Sequence, residues 1–154
     1  VELMELAHAL REQETARERH GFKLAEFLGV EAEHIALLAS IGISSTDQML
    51  AAGASPDGRQ RLEGQTGIPA EAILELVKLS DLARMEGVKG VRARLYYDAG
   101  LDTLDKFGEW QPEALRQYLL EWVERTGFPG IAPLPKEILF TLAAARQLPR
   151  VVDF

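Results

Sequence analysis

The 154-residue sequence contains no cysteine, which excludes disulfide bonds and thiolate chemistry. It also has no apolar run of the roughly 20 residues that a membrane-spanning helix requires. The first residues lack the basic and apolar regions of a signal peptide. We therefore expect a cytoplasmic protein with no membrane partner.

Basic residues are fewer than acidic residues in this sequence. The chain has 17 Lys and Arg residues against 24 Asp and Glu residues, which gives a net charge of −7. Since this balance repels nucleic acid and anionic membranes, any contact with a phosphate backbone must be local. Hydrophobic residues make up 47% of the chain, which is enough to build a core.

Several active-site signatures are missing as well. There is no G-x-S-x-G motif, no phosphate-binding loop that ends in Gly-Lys-Ser/Thr, and no cysteine nucleophile. We therefore expect a protein that is not an enzyme. The sequence indicates no cofactor and no small-molecule substrate.

Apolar residues recur at helical spacing along the chain, without the sustained alternation that is typical of strands. The sequence therefore predicts an all-α fold of many helices. We assign residues 1–29 to an N-terminal helical arm and residues 30–154 to the main domain. The arm has one apolar face, formed by Leu3, Leu6, Ala7 and Leu10.

The last helix is expected to turn a set of apolar residues inward. They are Ile138, Leu139, Leu142 and Ala145. Pro149 is expected to end this helix.

Residues 82–107 contain two helical segments separated by Gly87-Val88-Lys89-Gly90. The glycines permit the backbone angles of a tight turn, and Val88 can fill the gap where the helices cross. This pattern predicts a helix-hairpin-helix. Backbone amides at the start of its second helix would form a site for a phosphate group.

The second half of the chain repeats the helix boundaries of the first half in the same order. The matching segments are Ile41-Gly42-Ile43-Ser44 with Ala99-Gly100-Leu101-Asp102, Ser55-Pro56 with Gln111-Pro112, Thr66-Gly67-Ile68-Pro69 with Thr126-Gly127-Phe128-Pro129, and Ile73-Leu74 with Ile138-Leu139. We infer an internal duplication with loops of different length. It predicts a duplicated helix-hairpin-helix (SAM-like) arrangement with repeats at about 30–88 and 89–150.

These segments resemble a family of bacterial helix-hairpin-helix proteins described as domain of unknown function 4332, over roughly residues 35–148. The resemblance is carried by SDLARMEGV at 80–88, the helix at 93–97, AGLDTLDKF at 99–107 and GISSTDQML at 42–50. It implies non-specific DNA binding through the hairpin amides, as in helix-hairpin-helix proteins generally. The turn departs from the usual G-x-G pattern, because Lys89 stands where the second glycine would be.

A local excess of positive charge coincides with the hairpin. Residues 78–94 carry five cations and two carboxylates, a local charge of +3. The candidate nucleic-acid-binding residues are Arg84, Gly87, Val88, Lys89, Gly90, Arg92 and Arg94. This pattern predicts weak DNA binding that does not depend on base sequence.

A protein-interaction or scaffold module is the interpretation that we favour. The acidic surface, the missing catalytic groups and the polar continuation of the N-terminal arm all favour it. The arm could bind another protein or a second copy of the chain.

A third interpretation is a metal-binding enzyme. The pairs Glu5 with His8 and Glu31 with His34 have the E-x-x-H spacing that directs a carboxylate and an imidazole to one metal in di-iron helical bundles. Such bundles need two more carboxylates on facing helices, and the sequence shows no distinctive pair of them.

Overall fold

The computed structural model describes residues 21–154 of the chain. These residues form eight α-helices and one short 3-10 turn, Leu24–Glu26, and no β-strand occurs among them. The helices are α1 (Ala32–Ser40), α2 (Thr46–Gly53), α3 (Pro56–Thr66), α4 (Ala70–Leu82), α5 (Gly90–Asp98), α6 (Leu104–Gly108), α7 (Pro112–Thr126) and α8 (Pro135–Gln147). The all-α fold that the sequence predicts is confirmed.

Helix α4 joins the two halves of the fold, because it packs against α2, α3 and α5. Its buried residues are Ile73, Leu76, Val77, Leu79, Ser80, Asp81 and Leu82. Helix α8 packs against α6 and α7 in the second half. One continuous apolar core includes side chains of both α4 and α8.

Helices α1 and α5 end in the same hydrogen-bonded turn. Gly42 and Gly100 follow them with φ angles of +86° and +89°, which glycine adopts without strain. The next residue, Ile43 or Leu101, donates its amide to the carbonyl five residues earlier, at 2.9 and 2.8 Å. This is the Schellman motif. In both places the residue after the glycine, Ile43 or Leu101, buries its apolar side chain.

The helices that follow also share their boundaries. Helices α2 and α6 are capped by the hydroxyls of Ser45 and Thr103, each of which accepts a backbone amide at 3.2 Å. Helices α3 and α7 both begin at proline and end before a left-handed glycine, Gly67 or Gly127. Similar local rules therefore set the helix boundaries in both halves.

Two pairs of helices have the same length in the two halves of the fold. Helices α1 and α5 have nine residues each and begin 58 positions apart. Helices α4 and α8 have 13 residues each and begin 65 positions apart. These are the offsets that separate Gly42 from Gly100 and Ile73 from Ile138 in the sequence.

Residues 21–29, which the sequence assigns to the arm, pack on the main domain. Leu24 and Phe27 are buried in its core. The amide of Leu24 also donates to the carbonyl of Ser44 at 2.9 Å. The packed domain therefore includes residues before position 30, while the apolar face predicted for residues 3–10 lies outside the described residues.

An ionic contact connects the two halves. Asp102, just before α6, accepts a hydrogen bond from Lys78 of α4 at 2.5 Å and one from Lys106 at 2.8 Å. Partial burial alone would raise the pKa of Asp102, but the hydrogen bonds and charges of the two lysines hold it below the ordinary 3.8.

None of the helices between residues 21 and 154 combines the length and the apolar character that crossing a bilayer requires.

We predict that Asp102→Asn lowers the free energy of unfolding by about 1 kcal/mol at pH 6. Because folding lowers the pKa, the contribution of the carboxylate is complete above 3.8 and is lost as the pH falls through the folded value. Urea unfolding of wild type and variant at pH 6 and at acid pH would measure this. The difference between them should shrink on acidification.

The matched control is Glu124→Gln, which removes a negative charge from an exposed position. A loss of stability for Asp102→Asn that is the same at both pH values would contradict the prediction.

Candidate functional site

The chain turns between α4 and α5 at the position that the sequence predicts for the hairpin. Gly87 has a φ angle of +84°, in the left-handed region that favours glycine. The side chain of Val88 is buried. Lys89 is the N-cap of α5, and its side chain makes no capping hydrogen bond.

Gly90, the first residue of α5, is buried against the backbone before α1. A Cβ atom at Gly90 would lie only 2.7 Å from the carbonyl carbon of Glu26, and still nearer to its oxygen. The amide of Leu28 also donates to the carbonyl of Gly90 at 3.4 Å. Gly90 therefore has a packing role, whereas the sequence suggested an open phosphate site.

Arg94 is the most enclosed of the predicted binding arginines, with 8% of its side chain exposed. Its Nη1 atom lies 2.5 Å from Oε1 of Glu75 on α4, and its Nε atom donates to the carbonyl of Leu28 at 2.6 Å. A weaker contact joins it to Asp98 at 3.4 Å. Arg94 therefore connects α4, α5 and the segment before α1.

Arg92 and Arg84 also bind carboxylates and backbone carbonyls. Nε of Arg92 lies 2.7 Å from Oε2 of Glu137 on α8, and its Nη1 atom donates to the carbonyl of Ile131. Arg84 contacts Asp81 at 2.9 Å and the carbonyl of Pro149 at 2.8 Å. Burial raises the pKa of Asp81, while its hydrogen bond to Arg84 and the Arg84 charge oppose the rise.

The fourth predicted cation, Lys89, contacts an aromatic ring. Its Nζ atom lies 5.5 Å from the ring centroid of Phe22, which is within the range of a cation–π contact. The segment before α1 thus contacts the hairpin at both Lys89 and Gly90.

Most of the cations in residues 78–94 are paired with carboxylates in the folded chain. Four carboxylates from outside the 78–94 window, those of Glu75, Asp98, Asp102 and Glu137, contact the cations within it. With Asp81 and Glu86 of the window, and with Lys106, which also binds Asp102, six carboxylates and six cations lie in this region. The arginines chosen from the sequence lie close together, but their contacts are those of residues that hold helices in place. Nucleic-acid binding at the hairpin stays a prediction.

We predict that Gly90→Ala lowers the free energy of unfolding by about 2 kcal/mol or more, because the added methyl group has to displace the backbone at Glu26. Urea unfolding would measure the change. The matched control is Gly64→Ala within α3, where a Cβ atom meets open space. It should raise stability by about 0.5–1 kcal/mol. Equal effects of the two substitutions would contradict the packing role of Gly90.

We also predict that Arg94→Gln destabilises the fold by about 2–3 kcal/mol, because it leaves the Glu75 carboxylate and the Leu28 carbonyl without their donor. Chemical unfolding would measure the loss. Arg61→Gln, at an exposed position of α3, should change stability by less than about 0.5 kcal/mol. If Arg94→Gln lost no more stability than this, Arg94 would not hold α4, α5 and the segment before α1 together.

The predicted metal ligands do not form a cluster among the described residues. His34 Nε2 lies 3.3 Å from Oε2 of Glu31, beside a cavity of about 80 Å³ that Glu75 also lines. The Glu75 carboxylate binds Arg94. No group of three or more His, Cys, Asp and Glu side chains between residues 21 and 154 is arranged to hold a metal ion. Glu5 and His8 lie outside the described residues.

An exposed apolar surface lies on α8 and on the connector before it. We call the side chains of Ile131, Leu134, Leu139 and Phe140 the α8 surface; their exposed fractions are 71%, 61%, 57% and 60%. Beside it, a groove of about 700 Å³ separates the start of α7 from the start of α8. Pro112, Arg116, Gln117 and Leu139 are among the residues that line it.

The expectation that Leu139 faces inward is wrong. Ile138, Leu142 and Ala145 are buried as predicted, and they share one face at spacings of four and three residues. Leu139 follows Ile138 by a rotation of about 100° and therefore lies at the edge of that face. The adjacent apolar pair Leu139-Phe140 was the sequence signal for an apolar stripe wider than the core requires.

The described residues thus form an all-α fold with exposed large apolar side chains on α8 and on the connector before it. The model of the family described as Domain of unknown function (DUF4332) matches residues 28–147, and the chain belongs to that family. Comparisons with curated proteins and with solved structures give no match.

Proposed function

We propose that this chain is a non-catalytic protein-interaction module that binds its partner through the α8 surface. The observation that carries the proposal is the exposure of four large apolar side chains between residues 131 and 140. Exposed apolar side chains that lie close together in the sequence keep water in an unfavourable contact, which a protein partner removes. This cluster contains half of the large apolar side chains that are exposed in the described chain.

The groove beside the α8 surface suits a partner helix. Its floor contains Pro112, Ile138 and Leu139, while Glu113 and Arg116 supply polar groups on the α7 side. An amphipathic helix can place its apolar residues on such a floor and pair its polar residues with the rim. The partner that we propose therefore presents a helix with one apolar face.

We further propose that the fold is a duplicated helix-hairpin-helix arrangement. Its support is the repeated helix order, the two Schellman turns and the matching start of α3 and α7. The hairpin between α4 and α5 would then serve mainly as the joint between two related halves. DNA binding through this hairpin has less support, because Arg84, Arg92 and Arg94 are paired with carboxylates.

The interaction can be tested by placing a photo-crosslinking phenylalanine analogue at position 140 in the cells that make the protein. We expect protein adducts at this position and few with the analogue at position 61, which is exposed on α3. Introducing Leu134→Asp and Leu139→Asp should remove the adducts without a large change in thermal stability, since both side chains are exposed.

Two outcomes would contradict this function. One is the absence of adducts at position 140. The other is a set of adducts of the same identity and yield at positions 140 and 61, which would indicate contact without a specific surface.

A further inference from the structure

In the internal duplication that we propose, the outer faces of α1 and α8 have no helix packed on them among residues 21–154. Helix α5 buries Gly90, Ala93, Arg94, Leu95 and Tyr96, whereas its counterpart α1 buries only Leu38. Helix α4 is covered by α5, whereas its counterpart α8 is the last helix in the chain. The junction between α4 and α5 thus has no equivalent on α1 or on α8 within the described chain.

The correspondence between the helices can be checked by the residues that they bury. Positions 73, 76, 77 and 80 of α4 correspond to positions 138, 141, 142 and 145 of α8 at the offset of 65. All eight residues are buried. The shared face of the two helices is therefore the one that packs within its own half.

The first and last helices of each half also approach each other at corresponding positions. In the second half, Arg92 of α5 binds Glu137 of α8. At offsets of 58 and 65, these positions correspond to His34 of α1 and Ala72 of α4, which line one small cavity. Two separate pairs of helices therefore agree with one alignment of the halves.

That alignment identifies which residues would meet if the α4–α5 junction were repeated. Two ion pairs cross the junction, Glu75 with Arg94 and Lys78 with Asp102. Their counterparts are Phe140 with Ala36 and Ala143 with Ser44. All four of these counterparts are exposed.

We propose that copies of this chain associate head to tail, with α1 of one copy packed on the outer face of α8 of the next, as α5 packs on α4. The proposal rests on the proposed function, names a second copy as the partner and places that copy on the Phe140 side of the α8 surface, which does not line the groove. Phe140 would pack against the α1 backbone at Ala36, where the short side chain leaves room for the ring. The two charged pairs of the internal junction are thus replaced by apolar or small side chains, which carry no desolvation cost of buried charge.

Such a contact is heterologous, and it extends as an open chain unless the rotation between copies closes a ring. The two surfaces, on α1 and on α8, differ from each other, so each added copy exposes a fresh α8 surface. A symmetric dimer would saturate at two copies, whereas this contact gives a mass that continues to rise with concentration. The end surfaces thus predict short, reversible chains of molecules.

The test uses the full chain and two single substitutions, Phe140→Glu and Ala36→Arg. Each places an unpaired charge in the proposed contact, so each should raise the dissociation constant at least about tenfold. When the two variants are mixed, the unchanged α8 surface of Ala36→Arg can pack on the unchanged α1 of Phe140→Glu, which restores one wild-type contact. At the next contact, the carboxylate introduced on α8 can meet the guanidinium introduced on α1. The intermolecular contact would then copy the Glu75–Arg94 pair of the internal junction. We expect sedimentation velocity to show the mixture associating and each variant alone remaining monomeric.

Circular dichroism and thermal melts provide the folding control. Both positions are exposed, so the isolated variants should melt close to wild type. Arg61→Glu, at an exposed position of α3, serves as the matched control for a changed surface charge and should associate like wild type.

Three outcomes would overturn head-to-tail association: a wild type that stays monomeric at millimolar concentration, association that persists in both single variants, or a mixture that does not associate. Persistent association would place self-contact elsewhere, for example in residues 1–20. A monomeric wild type that still gives adducts to another protein at position 140 in cells would overturn the second copy as partner and leave the proposed interaction function standing.

Discussion

The buried guanidinium of Arg94 is the contact on which the arrangement of the helices depends. It carries a positive charge into the interior, with 8% of the side chain exposed, and this is stable only because Glu75 and the Leu28 carbonyl lie at 2.5 and 2.6 Å. Those two partners fix α4 and the segment before α1 relative to α5. The close backbone approach at Gly90 follows from the same arrangement, since only a residue without a side chain fits beside Glu26.

The helix boundaries could be predicted from the sequence because they depend on neighbours. Gly42 and Gly100 end helices through their own φ angles and through amides a few residues away. The tertiary pairing of charges could not be predicted in this way. Glu137 reaches Arg92 across 45 positions, and no count over a short window includes it. The excess of positive charge within residues 78–94 therefore depends on the limits chosen for that segment. In the folded chain Lys78, Arg92 and Arg94 pair with carboxylates from outside it.

The candidate site was missed for a related reason. Leu139 belongs to an apolar helix face by its position in the sequence, but the number of neighbours that can cover it is a property of the fold. Leu74, at the matching position of α4 in the proposed duplication, is half-buried. Periodicity identifies which side of a helix is apolar. It does not predict whether another part of the structure covers that side.

Helices α4 and α8 are similar on the face that packs in the core and different on the outer face. The four positions that bury the inner face are apolar or small uncharged in both helices. The outer positions differ: Glu75 and Lys78 in α4 form ion pairs with α5 and its following loop, whereas Phe140 and Ala143 in α8 carry no charge. Phe140 leaves 60% of its side chain exposed at a position where a charged residue would be soluble and a good helix former. The side chain is explained if a second protein surface covers it.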